Sequence, residues 1–170
     1  GGDLTGKMVI PMIRNGGEYS YSLFGRDTKF KRTQLEEECS KVANAGYYPH
    51  PCDKEEFQRL RNDEQAQNDL FNRLIAQRME DWMDLASTRF NGRSPLYVSP
   101  GNDDRPVIDE ILENSASIVA CERRLVHLPD GYDMVTCGWV NPTPWKTTRE
   151  VPDEKLEPML EELMTKAQNY

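Results

Sequence analysis

Between Asp63 and Phe90 the apolar residues Leu70, Phe71, Leu74, Ile75, Met79, Trp82, Met83, Ala86 and Phe90 recur at short, mostly three- and four-residue intervals. That period belongs to an α-helix; a strand would scatter the same side chains over both of its faces. The run predicts one long amphipathic helix with the stripe turned toward a core, so the rest of the chain must supply a surface to cover it. The residues before it follow a different period. Met8 to Ile13 is apolar and β-prone, Asn15-Gly16-Gly17 tolerates positive φ, and Tyr19 to Phe24 alternates with period two, which together predict a hairpin. A further short strand over 28–31 follows a turn at Gly25-Arg26-Asp27. From Thr33 the helical period returns in Leu35, Cys39 and Val42, ending at Gly46, and Tyr47-Tyr48-Pro49 reads as a turn. Asp53 with Glu56 three residues on marks the start of a short helix.

Beyond Asn91-Gly92, Leu96-Tyr97-Val98 reads as a short buried strand that runs into Ser99-Pro100-Gly101-Asn102-Asp103-Asp104. A helix is expected to begin near Asp104, with Val107, Ile108, Ile111 and Leu112 on its apolar face. Three strands are expected over 117–121, 124–128 and 134–139, the second and third joined through Pro129-Asp130-Gly131. A loop with Pro142 and Pro144 follows, and Leu156, Met159, Leu160, Leu163 and Met164 predict a final helix. The fold class is therefore α/β, with an α+β-like grouping of strands, and no internal repeat is present.

A length of 170 residues suits one domain, and 29 acids against 21 Lys plus Arg leave a formal charge of -8, which disfavours a nucleic-acid groove as the default. The acidity is uneven. Residues 33–91 hold 12 acids and 7 bases, and residues 150–170 hold 6 and 2, so the remainder of the chain is close to neutral and a phosphate-binding edge there is not opposed. No run of eighteen apolar residues exists to span a bilayer. Cys39, Cys52, Cys121 and Cys137 form no C-x-x-C pair, so reduced thiols in a cytoplasmic protein are the simplest reading. The opening Gly1-Gly2-Asp3-Leu4-Thr5-Gly6-Lys7 has no initiator Met, basic n-region or apolar h-region, and reads as neither a signal peptide nor an ordinary translation start.

Two corners carry the candidate chemistry, Gly2-Asp3 and Gly101-Asn102. Glycine lets the chain turn sharply at a strand end, where a short oxygen-bearing side chain projects above the sheet edge that α/β proteins use for ligands. A carboxylate can bridge two hard cations, and an Asn carbonyl can ligate one. Each dipeptide alone is also a common turn.

Gly2-Asp3-Leu4-Thr5-Gly6-Lys7 and Pro100-Gly101-Asn102-Asp103-Asp104 together resemble the second and third motifs of the calcineurin-like metallophosphoesterases, in particular a prokaryotic branch with a Gly-Asn-Asp-Asp third motif. Gly138-Trp139-Val140-Asn141-Pro142-Thr143-Pro144-Trp145-Lys146-Thr147 is similar to the same branch. The resemblance implies a binuclear metal centre at the edge of a β-sandwich flanked by helices, holding two divalent ions such as Mn, Fe, Zn or Mg and hydrolysing phosphate mono- or diesters. It implies Asp3 as the carboxylate bridging the metals, Asn102 as a ligand to the second, and Asp103 at the position where many members carry a catalytic His. A carboxylate there repels an anionic substrate; Asp104 is expected to cap the following helix and order the loop. The family's Asp-x-His and Gly-His-x-His motifs are absent, so the 170 residues are expected to be an internal fragment of a longer enzyme, inactive without the remainder of the parent chain. His50, in a Pro-flanked loop, and His127, in a strand-like run, lack the surroundings of metal ligands.

The wide spacing from Asp3 to Asn102 exceeds one βα unit, and residues 8–92 are expected to be an inserted hairpin and long-helix cap, with 93–170 a strand-helix portion of the core. Lys7, Arg14, Arg26, Lys29, Lys31 and Arg32 give the hairpin a basic character that either attracts phosphate or protects an edge strand. Trp139, Asn141, Trp145 and Lys146 are candidate substrate-binding residues, through indole stacking and an ammonium near phosphate, unless the indoles are buried anchors of the loop. Nucleotides, nucleic acids, phosphoproteins and lipid phosphates all remain open as substrates. Gly1 to Lys7 also fits a phosphate-binding loop, but Met8 stands where Ser or Thr should bind Mg²⁺ and a strand pattern follows. The alternative of another class is a non-catalytic acidic helical module that binds a protein partner.

Overall fold

The computed structural model describes residues 3–90, 93–129 and 131–167. The expected glycine corner at Gly2, the Asn91-Gly92 break and the Asp130 turn position lie outside the described residues. The described residues form a mixed α/β structure with five α-helices and three small sheets. The chain divides into two compact units, one Gly6–Ile75 and the other Gly1–Thr5 with Ala76–Tyr170.

In the unit Gly6–Ile75, strands β1 (Val9–Asn15), β2 (Glu18–Leu23) and β3 (Arg26–Lys31) form an antiparallel meander. Gly16 occupies the first central position of the β1–β2 turn at φ +66°, where a side chain would be strained. The second turn is Phe24-Gly25, both at positive φ, and not the expected Gly25-Arg26-Asp27; Arg26 already pairs with Leu23 in the ladder. A 3₁₀ turn at Arg32–Gln34 leads into α1 (Leu35–Asn44). The next segment corrects the sequence reading: Tyr48–Cys52 is not a turn but strand β4, parallel to β1. Tyr48 N donates to Met8 O at 3.0 Å, so alternate residues face β1, and Pro49 and Pro51 direct their missing N–H groups to the open edge, where a sheet tolerates proline. His50 accordingly sits in a strand, its Nε2 3.1 Å from Glu56 Oε1.

One face of this sheet closes on α1 through Ile10, Met12, Phe30 and Val42, with Tyr19 stacked on Phe30. Each such side chain contributes about 1.5–3 kcal/mol by leaving water. Helix α2 (Lys54–Asn62) starts as expected, Asp53 Oδ1 accepting from Glu56 N at 2.8 Å. The long period-3.6 run is helix α3 (Glu64–Phe90), and within this unit its Phe71 meets Tyr48 edge to face.

The second unit contains the remainder of α3, where Met79 is fully buried and Ala86 nearly so. The stripe does not hold throughout: Trp82 and Phe90 are about 40 % exposed. Trp82 lies roughly 60° around the helix from Met79, on its flank, and Phe90 is the last helical residue. Then come β5 (Tyr97–Val98), α4 (Val107–Asn114) and β6 (Val119–Ala120), a parallel pair with a helical crossover. Strands β7 (Leu125–His127) and β8 (Asp133–Val135) form an antiparallel pair, and α5 (Asp153–Lys166) is the last helix. Ile108, Leu112, Cys121 and Leu163 are buried here. Among the described residues no helix is long and apolar enough to cross a membrane.

Candidate functional site

The loop after β5 folds around one carboxylate. Asp104 has no solvent exposure, and its two oxygens accept from Leu4 N at 2.8 and 3.1 Å, Thr5 N at 2.8 Å, Thr5 Oγ1 at 2.7 Å and Gly101 N at 2.7 Å. A buried carboxylate is costly unless its lone pairs are filled, and here four donors fill them. The expectation that Asp104 caps a helix is corrected: α4 begins at Val107 without a side-chain cap, and Asp104 binds backbone from the start of the chain instead. Its role in ordering the loop stands.

This clasp brings Asp3 against the loop. Asp103 N donates to Asp3 Oδ1 at 3.1 Å, and a Cβ on Gly101 would lie 2.4 Å from that oxygen and 2.8 Å from Asp3 N. Glycine at 101 is thus required by close approach of a second chain segment. Asp3 is exposed and lines a cavity of about 430 Å³ with Leu4, Tyr97, Ser99, Cys121 and Thr136. Residues 3 and 102, far apart in sequence, therefore belong to one constellation on the loop that leaves the C-terminal end of a parallel strand.

Asn102 is held from the opposite side by the segment following β8. Its Nδ2 donates to Thr147 Oγ1 at 2.9 Å and its backbone O accepts from Arg149 N at 2.9 Å. Arg149 is itself buried, donating through Nε to Asp104 O at 3.0 Å and through both terminal nitrogens to Asp109 on α4. Glu150 gathers the loop, accepting from Thr143 N and Oγ1 and from Thr147 N and Oγ1. These hydroxyl and amide donors pull its carboxyl down to about 2. Thr147 closes the Gly138-to-Thr147 stretch noted in the sequence but was given no role there, and Arg149 and Glu150 were not singled out; the signal available was their place at the end of the Pro-Thr-Pro-Trp stretch.

The four residues expected to contact substrate are distributed differently. Trp145 is 81 % exposed, and Lys146, beside it, is exposed at φ +51°, so neither is a buried anchor. Asn141 is exposed. Trp139 is half-buried and lines a separate cavity of about 300 Å³ with Glu122, Arg123, Arg124 and Arg149.

Histidine and cysteine do not join this group. His127 Nδ1 lies 2.6 Å from Asp133 Oδ1 on the β7–β8 ladder. All four thiols are free, and burial raises Cys39, Cys121 and, to about 11, Cys52, which disfavours their thiolates. Among the described residues no three His, Cys, Asp or Glu side chains converge as a metal cage. Asp3 and Asn102 match a hard divalent cation in kind, both offering oxygen, but not in number. Compared with family models, curated proteins and solved structures, the chain matches none.

Proposed function

We propose that this chain carries part of the binuclear metal centre of a calcineurin-like phosphoesterase acting on phosphate mono- or diesters. The observation that carries the reading is the Asp104 clasp, which draws the Asp3-Leu4-Thr5 and Gly101-Asn102-Asp103-Asp104 stretches into one polar cluster. Asp3 would supply a carboxylate and Asn102 an amide oxygen to the metal ions. Asp103 contributes its backbone N–H to orient Asp3, and its own side chain takes the catalytic position without being an imidazole. Trp145 and Lys146 offer an indole face and an ammonium to substrate on an exposed turn. Bound at such a centre, two divalent ions would polarise the ester and activate a water.

On this reading the remaining ligands come from the rest of a parent chain. The parallel β5–β6 pair supports this, since parallel sheets are normally larger and covered on both faces. The unit Gly6–Ile75 lies in sequence between the two stretches of the other unit, which supports an insertion there, shorter than the expected 8–92 because α3 from Ala76 onward belongs to the other unit. The test is Mn²⁺-dependent hydrolysis of an aryl phosphodiester. No efficient turnover is expected from the 170-residue chain, and turnover is expected when the flanking segments are restored. Efficient hydrolysis by the chain alone would sink the partial-site reading, and an inactive longer chain would sink the phosphoesterase reading.

A second reading, a non-catalytic module that binds a protein partner, is favoured by one observation: Trp82 and Leu85 stand 42 % and 53 % exposed on α3 beside the exposed acids Glu80, Asp81 and Asp84. It predicts that metal changes nothing and that a Trp82→Ala, Leu85→Ala chain loses its partner.

A further inference from the structure

The hydroxyl of Thr147 stands between two groups, 2.9 Å from Asn102 Nδ2 and 2.7 Å from Glu150 Oε1. A hydroxyl owns one proton, and an ionised carboxylate can only accept. Glu150 remains ionised because four donors converge on it. The Thr147 proton therefore goes to Glu150, and Oγ1 meets Asn102 as an acceptor. Only the NH₂ side of the Asn102 amide can face an acceptor, so its carbonyl oxygen points the other way. The flipped amide would set two oxygens against each other and forfeit a hydrogen bond. Arg149 N, bonded to Asn102 O, holds the backbone of the same residue, so the side chain turns on a fixed base.

We propose that Glu150, acting through Thr147, is a positioning residue that locks the Asn102 amide with Oδ1 presented as the donor to a hard divalent cation. The donor role rests on the phosphoesterase reading above; the locked orientation does not. A neutral amide is symmetric in shape, and without the relay about half of its time would be spent presenting NH₂, which repels a cation.

The experiment is side-chain amide NMR, with amide exchange followed in the 170-residue chain and Mn²⁺ used as the probe ion in the longer chain with its flanking segments restored. One Asn102 Nδ2 proton in the unsubstituted protein is expected to exchange slowly with water. In Thr147→Val exchange should quicken roughly five- to tenfold, the equivalent of one hydrogen bond, while Thr147→Ser restores it. On adding Mn²⁺, the Asn102 amide should broaden ahead of other exposed Asn amides, and Thr147→Val should need several times more Mn²⁺ for the same effect. Fast exchange in the unsubstituted chain, a result that needs no folded variant, overturns the relay. Slow exchange with no selective Mn²⁺ broadening overturns the donor role and the metal reading with it, leaving the orientation intact.

Discussion

Replacing Asp104 tests how residues so distant in sequence are held together. Leu4 N, Thr5 N, Thr5 Oγ1 and Gly101 N converge on its two oxygens at 2.7–3.1 Å, and the side chain is fully buried. Hydrogen bonds to a charged group contribute about 1.5–3 kcal/mol each, but four on one carboxylate are not additive. Residues 3–5 can also detach and let water take over their donors. Asp104→Ala should therefore cost about 3–5 kcal/mol, well below the simple sum of four such bonds. Asp104→Asn keeps one acceptor oxygen and turns an NH₂ on at least one of the donors, for a loss of about 2–3 kcal/mol. Urea unfolding followed by circular dichroism gives the totals. Amide exchange at Leu4, Thr5 and Gly101 should rise in both variants while exchange in the β1–β4 sheet does not. If Asp104→Ala lies within about 0.5 kcal/mol of the parent, as a neutral surface change would, or those three amides stay protected, the clasp does not hold the site.

Acid should loosen the 143–150 loop. The Glu150 carboxyl falls from 4.5 to about 2, so its contribution is complete above the ordinary carboxylate range and is lost as pH drops from about 4.5 through about 2. Fluorescence of the exposed Trp145 and the Thr147 amide shift should move in that window; a transition centred near neutrality would contradict the sign. Gly101→Ala places a methyl 2.4 Å from Asp3 Oδ1 and should destabilise by about 1–3 kcal/mol, read as a lower Tm with displaced Asp3 resonances. In a longer, active chain, Lys146→Ala should raise KM for the phosphodiester and leave metal affinity unchanged; unaltered kinetics would remove Lys146 from the substrate surface.

What could be read from the sequence was whatever repeats locally. The β1–β2 hairpin and α1, α2, α3 and α5 follow from period, glycine turns and the Asp53 cap, all short-range causes. Strand β4 was hidden because two prolines normally forbid a strand, and only its edge register with β1 makes them harmless. The start of α4 was misplaced because Asp104 has the composition of a helix N-terminus while its side chain serves backbone about a hundred residues earlier. That the Asp3 and Gly101-Asn102 stretches meet was legible only through resemblance. Thr147, Arg149 and Glu150 were not, because each acts by a contact 40 or more residues away, or on a loop whose geometry those contacts create. Trp82 reads as core by spacing yet sits on the flank of α3, a distinction of angle that a three-or-four interval does not resolve.

The central claim is that Asp3 and Asn102 serve one divalent cation, and a double-substitution cycle on Mn²⁺ binding tests it most directly. Free Mn²⁺ is followed by electron paramagnetic resonance for the longer chain with its flanking segments restored, unsubstituted and as Asp3→Asn, Asn102→Ala and the pair. If both side chains hold the same ion, either single change removes most of the affinity and the second adds little, a strongly non-additive result. If the losses add independently, or neither change alters Mn²⁺ binding, the two residues share no ion and the proposed centre is wrong.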